Sequence, residues 1–224
     1  MARVITLVLE ASTYAGSVAL LLDGALVADR SVAMRGREHE ALMPAVSAVL
    51  ADAGYTVADV ERVICGGGPG SFTSLRIAGG IAKGIALALG VPLVPVSSLA
   101  LVVASVERRE PGRYLAVQDA LRGEHYAQAY VVAPDGRIEE AGAVTLVPSA
   151  ALGEAAAIEG ARLTGPGVGG AGESVPRAGS AAHLTNMIDA ASPADLASWE
   201  PAYGRLAEAQ VKWEATHGRP LAAS

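Results

Sequence analysis

The sequence predicts an α/β protein of two similar halves, each a mixed sheet flanked by helices, with the second half degraded. Three observations carry that expectation: three β-rich runs followed by alternating helix and strand signals, a weaker repeat of the same order from Tyr114 onward, and a glycine-rich turn feeding a small-residue helix. With 224 residues, 51% of them hydrophobic and only 18% charged, the chain can bury a core of that size.

Residues 4–9, 17–22 and 26–32 are the three β-rich runs, and Asp23-Gly24 joins the second to the third as a hairpin turn. An antiparallel meander is therefore expected first. Residues 38–53 then place Leu42, Val46, Val49 and Leu50 on one helical face, with Pro44 near the first turn and Gly54 as the stop. A buried strand over 60–65, a second helix over 77–89, another strand over 92–96 and a further helix ending near Val106 follow. In the second half, strands are expected over 114–118, 126–132 and 138–147, then a helix over 150–158 and a strand over 161–164. Residues 165–179, rich in glycine, read as a loop, and 205–215 read as a last helix stopped by Gly218. Three strands, helix, strand, helix, strand is the order of a ribonuclease-H-like layer. Two facing layers give the actin-like ATPase architecture, whose cleft is the default ligand site. The expected division is 1–105 for the first half, completed by a C-terminal helix over 203–218, and 106–202 for the smaller second half.

Composition excludes several classes. A formal charge of −6 with 17 scattered Lys and Arg argues against a stand-alone nucleic-acid binder. Cys65, the single cysteine, excludes an internal disulfide, fits a reducing compartment and reads as a small core residue ending a strand. Residues 4–9 are too few to span a bilayer, and the apolar stretch 85–106 is broken by Gly90, Pro92 and Pro95, so no membrane segment is expected.

The segment from Gly66 to Arg76, GGGPGSFTSLR, decides most about function. A Walker A loop needs Lys followed by Ser or Thr, and the nearby Lys83 sits well inside the helix. A dinucleotide fingerprint needs a third glycine where this chain has Ser71 or Thr73, depending on register. Two readings remain: a tight strand-to-helix turn, or an anion site at a helix N-terminus built from Gly68, Gly70, Ser71 and Thr73, with Ser71 or Thr73 as N-cap. On the following helix Arg76, Gly80, Gly84 and Ala88 recur every four residues as a nearly bare ridge, beside a bulkier face of Leu75, Ile81, Ile85 and Leu89. Gly79, Gly80 and Gly84 each cost about 1 kcal/mol relative to Ala in a helix. Close approach of another backbone is the simplest compensation, and it can come from an internal strand or helix or from a partner.

Several motifs together resemble the bacterial TsaB family, also called YeaZ: Leu7 to Thr13 (LVLEAST), Arg37 to Pro44 (REHEALMP), Gly68 to Ile77 continuing to Ala82-Lys83-Gly84, Pro95 to Leu99 (PVSSL), Gln118 to Glu124 (QDALRGE) with Tyr126, and Glu200 to Arg205 (EPAYGR). The family usually has Asp-Thr-Ser where this chain has Glu10-Ala11-Ser12, and glycine at Ser74 and Ala78. The resemblance implies a non-catalytic dimerisation subunit of the complex that attaches a threonylcarbamoyl group to N6 of adenosine 37 in tRNA, binding and activating the catalytic subunit TsaD. It implies an interface of His39, Leu42, Met43 and Val46 on the first helix with Arg76, Gly80, Lys83, Gly84 and Ala88 on the second. Also implied are the TsaE ATPase as a further member, a homodimer when the chain is alone, tRNA contact only through the complex, ATP at the complex interface with no cofactor held tightly by this chain, and a cytoplasmic location.

The catalytic relative carries His-x-x-x-His where this chain has Ser98 and Val102, and the four histidines here, His39, His125, His183 and His217, are far apart in sequence. No catalytic or metal residues are therefore expected. The alternative is a small-molecule phosphotransferase or ATPase of the same fold, against which stand Glu10 and the hairpin Asp119 to Glu124, where Glu124 would repel a phosphate. Asp119 itself reads as a turn residue bonding its neighbours.

Overall fold

Strand β1 (Ile5–Glu10) alternates two apolar faces, and that alternation sets the whole architecture. The computed structural model describes residues 3–34, 40–204 and 216. β1 pairs antiparallel with β2 (Ala15–Leu22), which pairs with β3 (Ala25–Ala33). On its other edge β1 lies parallel to β4 (Arg62–Gly66), which lies parallel to β5 (Leu93–Val96), giving the order β3-β2-β1-β4-β5. Parallel strands need long crossovers, and α1 (Leu42–Asp52) and α2 (Phe72–Leu89) provide them. Leu7 and Leu9 of β1, with Leu20, Val63 and Leu93, face these two helices.

The opposite face, Val8, Ala19, Leu21, Ile64 and Val94, meets a central layer of α3 (Ser98–Ala104), a 3-10 segment at Ala178–His183 and α5 (Thr185–Ala190). All seven residues of α3 are buried. Beyond this layer lies a second sheet, β10-β6-β7-β8, formed by β6 (Gly112–Asp119), β7 (Glu124–Val132), β8 (Ile138–Glu140) and β10 (Arg162–Thr164), with β9 (Thr145–Pro148) pairing to β7 as well. Tyr114, Ala116 and Tyr130 of that sheet face α3, while Leu115, Val117 and Ala129 face α4 (Leu152–Ile158). The molecule is thus five layers, helix and sheet alternating.

Several elements differ from expectation. Helix α2 begins at Phe72 rather than at residue 77, because the glycine turn ends at Gly70 and Ser71 takes the N-cap position. The described part of the first helix begins at Leu42, where the Glu40 carboxylate accepts from the backbone N–H of Leu42 and of Met43, satisfying first-turn donors. Residues 38 and 39 lie outside the described residues. The strand expected over 138–147 is two strands pairing with opposite ends of β7, and Gln128 Nε2 donates to Gly142 O (2.9 Å) at the break between them. Residues 165–179 are not a plain loop, since a 3-10 turn forms at Gly170–Gly172 and another segment starts at Ala178. The return onto the first sheet starts well before residue 203: Ala178 N donates to Ser17 Oγ (2.8 Å) and Ala194 N to Leu93 O (2.8 Å). Apart from residues 203, 204 and 216, the helix expected over 203–218 lies outside the described residues. Among the described residues one helix, α2, is long and apolar enough by length and composition to cross a membrane, yet seven of its residues are buried in the fold.

Candidate interaction surface and glycine loop

Glu10 ends β1 fully buried, an uncommon place for a carboxylate, and its oxygens are all but spoken for. Its Oε1 accepts from Ser12 N at 2.5 Å, and Oε2 accepts from Ser98 Oγ at 2.9 Å. That same Ser98 oxygen accepts from Gly68 N at 3.1 Å, so one serine at the start of α3 ties the carboxylate to the glycine loop. Burial pushes the Glu10 carboxyl above its usual range, opposed by the hydrogen bonds from Ser12 and Ser98. Burial, with the Glu10 charge as a second cause, also pushes the Cys65 thiol far up, so this cysteine is an unreactive core residue.

The loop itself is packed rather than hollow. A Cβ on Gly66 would collide with Glu10 Oε2, one on Gly68 with Ala202 O, and one on Gly70 with Ser12 O. Ser71 N donates to Ser12 O (2.7 Å), and Gln118 Nε2 of the second sheet donates to that same carbonyl (2.7 Å). Ser71 Oγ lies 3.1 Å from Ser74 Oγ, and Thr73 is exposed on the first turn of α2. Gly68, Gly70 and Ser71 are therefore brought together where the two halves meet, each glycine making room for another part of the chain. Asp119 Oδ1 accepts from Leu121 N (2.8 Å), the turn contact expected of it.

A strap over residues 199–204 covers one side of α2. Lys83 Nζ donates to Trp199 O (2.9 Å), Pro201 lies so close that a Cβ on Gly79 would be 3.0 Å from its Cγ, and Ala202 N donates to Gly67 O (2.7 Å). The Tyr203 ring packs on Phe72 with centroids 4.5 Å apart, and the Arg76 guanidinium sits 5.3 Å from the Phe72 centroid.

The other side of α2 is open. Arg76, Gly80, Gly84 and Ala88 are all exposed or nearly so, and a Cβ on Gly80 or Gly84 would meet nothing within 4 Å. Leu87, 73% exposed, adds a large apolar side chain to this face. Sequence spacing does not single it out because it falls off the four-residue track, although it follows Gly84 by three positions and so lies on the same side of the helix. Two interface expectations on α1 are corrected: Leu42 and Val46 are fully buried against the first sheet, because the apolar face that defines the helix is the face it buries. Met43 stays exposed at 39%, Lys83 is half-buried and turned to the strap, and His39 lies outside the described residues. Ser98 and Val102 are buried within α3, and among the described residues no three His, Cys, Asp or Glu side chains gather as metal ligands.

The family model described as TsaD, tRNA N6-adenosine threonylcarbamoyltransferase, matches residues 34–203. The tRNA threonylcarbamoyladenosine biosynthesis protein TsaB of Bacillus subtilis is 30% identical over 225 residues, covering 92% of this chain and 96% of that protein. The chain belongs to the TsaB family. TsaB of Escherichia coli is 37% identical over 126 residues, an alignment that spans about half of each protein, 55% of this chain and 54% of the other. Among solved structures, YeaZ from Pseudomonas aeruginosa superposes with a TM-score of 0.71 at 26% identity, covering 89% of this chain and 99% of that one. The two mixed sheets with their helices are thus the actin-like fold of the TsaB family, as the order of elements predicted.

Proposed function

We propose that this chain acts in the biosynthesis of tRNA threonylcarbamoyladenosine as a non-catalytic scaffold, binding and activating the catalytic subunit TsaD through the open face of α2 with Met43 of α1. The observation that carries this reading is the pair Gly80 and Gly84. Each costs the helix about 1 kcal/mol relative to Ala, and no other part of the described chain comes close enough to use the space they leave. A helix from a partner, packed against the track of Gly80, Gly84 and Ala88, is what gives that space a purpose. Leu87 would be buried by the same contact.

TsaE joins the assembly in this reading, tRNA is met only through it, and ATP binds at the subunit interface rather than to the free chain, which pairs with itself when TsaD is absent. The cytoplasm is the proposed setting. The rival reading, a phosphotransferase using the Gly66–Ser71 loop, is opposed by what fills that loop: the Glu10 carboxylate, the Ser12 carbonyl and the backbone of Ala202. Light scattering on the chain mixed with TsaD from the same organism, with and without ATP, tests the proposal. A heterodimer lost on Gly84→Leu is expected. Failure to form any complex, together with ATP hydrolysis by the chain alone, would overturn it in favour of the phosphotransferase.

A further inference from the structure

The second sheet carries a glycine loop of its own. β10 runs parallel to β6 as β4 runs parallel to β1, and each of the two strands is followed at its carboxyl end by glycines. The two loops seat alike: a Cβ on Gly165 would collide with Val117 O near the end of β6, as one on Gly70 would collide with Ser12 O beyond β1. Carboxyl ends of parallel strands are where open α/β sheets take ligands.

What the second loop holds is its own carboxylate. Gly167 N donates to both oxygens of Glu173 at 3.1 Å, and Gly169 N donates to Oε2 at 2.9 Å. Gly167 and Gly169 have φ of 80° and 77°, a left-handed backbone that lets N–H groups two residues apart converge on one anion. The loop is braced from behind by Gly165 N donating to Gly172 O (3.0 Å) and Thr164 Oγ1 donating to the same carbonyl (3.0 Å). In front it is open, since a Cβ on Gly167, Gly169 or Gly170 would meet nothing within 4 Å. Glu173 is itself exposed, so no buried contact fixes it there.

We propose that residues 165–172 form an oxyanion site closed by Glu173, which takes the place of a phosphate group. The chain alone is then shut to phosphate-bearing ligands at its second loop, and withdrawal of one exposed side chain opens it. Inorganic phosphate and the phosphates of a nucleotide share the chemistry the loop accepts. The second loop follows β10 and does not depend on the partner assigned to the α2 face.

The experiment is a titration of the 15N-labelled full chain and its Glu173→Ala variant, following the amides of Gly167 and Gly169. One arm uses sodium phosphate against sodium chloride at matched ionic strength; the other uses magnesium ATP. In the variant those two amides should shift saturably with phosphate, at a concentration at least tenfold below any response of the unmodified chain, and chloride should leave them in place. A shift with ATP but not with inorganic phosphate would also support the site and name nucleotide as its source. Glu173→Gln keeps the shape without the charge, serves if the alanine variant fails to fold, and should also bind phosphate more tightly than the unmodified chain. Equal responses in the unmodified chain and the variants, or no response in any, would overturn the proposal.

Discussion

Gly79 and Gly80 are consecutive residues of one helix and have opposite surroundings. Gly79 lies under Pro201 and Trp199, where a Cβ would sit 3.0 Å from Pro201 Cγ and fit only if the proline gave way; Gly80 faces open space, as does Gly84 one turn on. The same residue type, at the same helix-propensity penalty, is thus accounted for inside the chain at one position and unaccounted for at its neighbour. The strap side of α2 is covered by the chain itself, and the open side is not covered by any of the described residues.

That contrast can be broken by substitution on either side. The largest effect expected is from Gly84→Leu, which should weaken association with TsaD at least 100-fold, about 3 kcal/mol, while thermal unfolding of the free chain is unchanged or slightly improved; unchanged affinity by calorimetry would place the partner elsewhere. On the strap side, Gly79→Val should destabilise the free chain by about 2–3 kcal/mol through overpacking, read as a lower urea midpoint. Pro201 is held between Trp199, bonded to Lys83, and Ala202, bonded to Gly67, so it has little freedom to retreat. Gly80→Ala should do the reverse, stabilising the free chain by about 1 kcal/mol, and an alanine that destabilised it would show a contact on the open face. The smallest effect concerns Glu10, buried at the end of β1 beside the glycine loop. Because burial raises the Glu10 carboxyl in the folded state, folding favours its protonated form. Its contribution is fully present below the usual glutamate range and is lost as pH rises through the raised value. Urea midpoints should therefore decline with pH across that window in the native chain, and Glu10→Gln should flatten the decline.

Much of this was legible in the residues. The alternation of Leu7, Val8 and Leu9 and the Asp23-Gly24 turn are period-two and turn-chemistry signals, which depend only on neighbours along the chain, and they placed the first sheet and its hairpin. The ridge of Arg76, Gly80, Gly84 and Ala88 was likewise visible as a spacing of four. Whether a glycine on that ridge is covered was not legible, because the cover comes from residues 199–204, more than a hundred positions away. For the same reason Glu10 gave no sign of its bond to Ser98. The 3-10 segment Ala178–His183 was missed because Ala178, Gly179 and Ala181 pack flat without any apolar period. Leu42 and Val46 were misplaced onto the interface although their spacing marked the face that a lone amphipathic helix must bury.

Helix α3 has one more consequence. A two-lobed protein with a cleft commonly works by swinging its lobes about a hinge. Here every residue of α3 is enclosed, with Val8 and Ile64 on one side and Tyr114 and Tyr130 on the other, and the chain crosses back between the lobes after residue 178. Swinging one lobe would drag a buried, largely apolar helix out of its socket. The chain should accordingly melt in a single calorimetric transition and move as one body, so that in the proposed complex it would contribute a fixed shape and not a stroke.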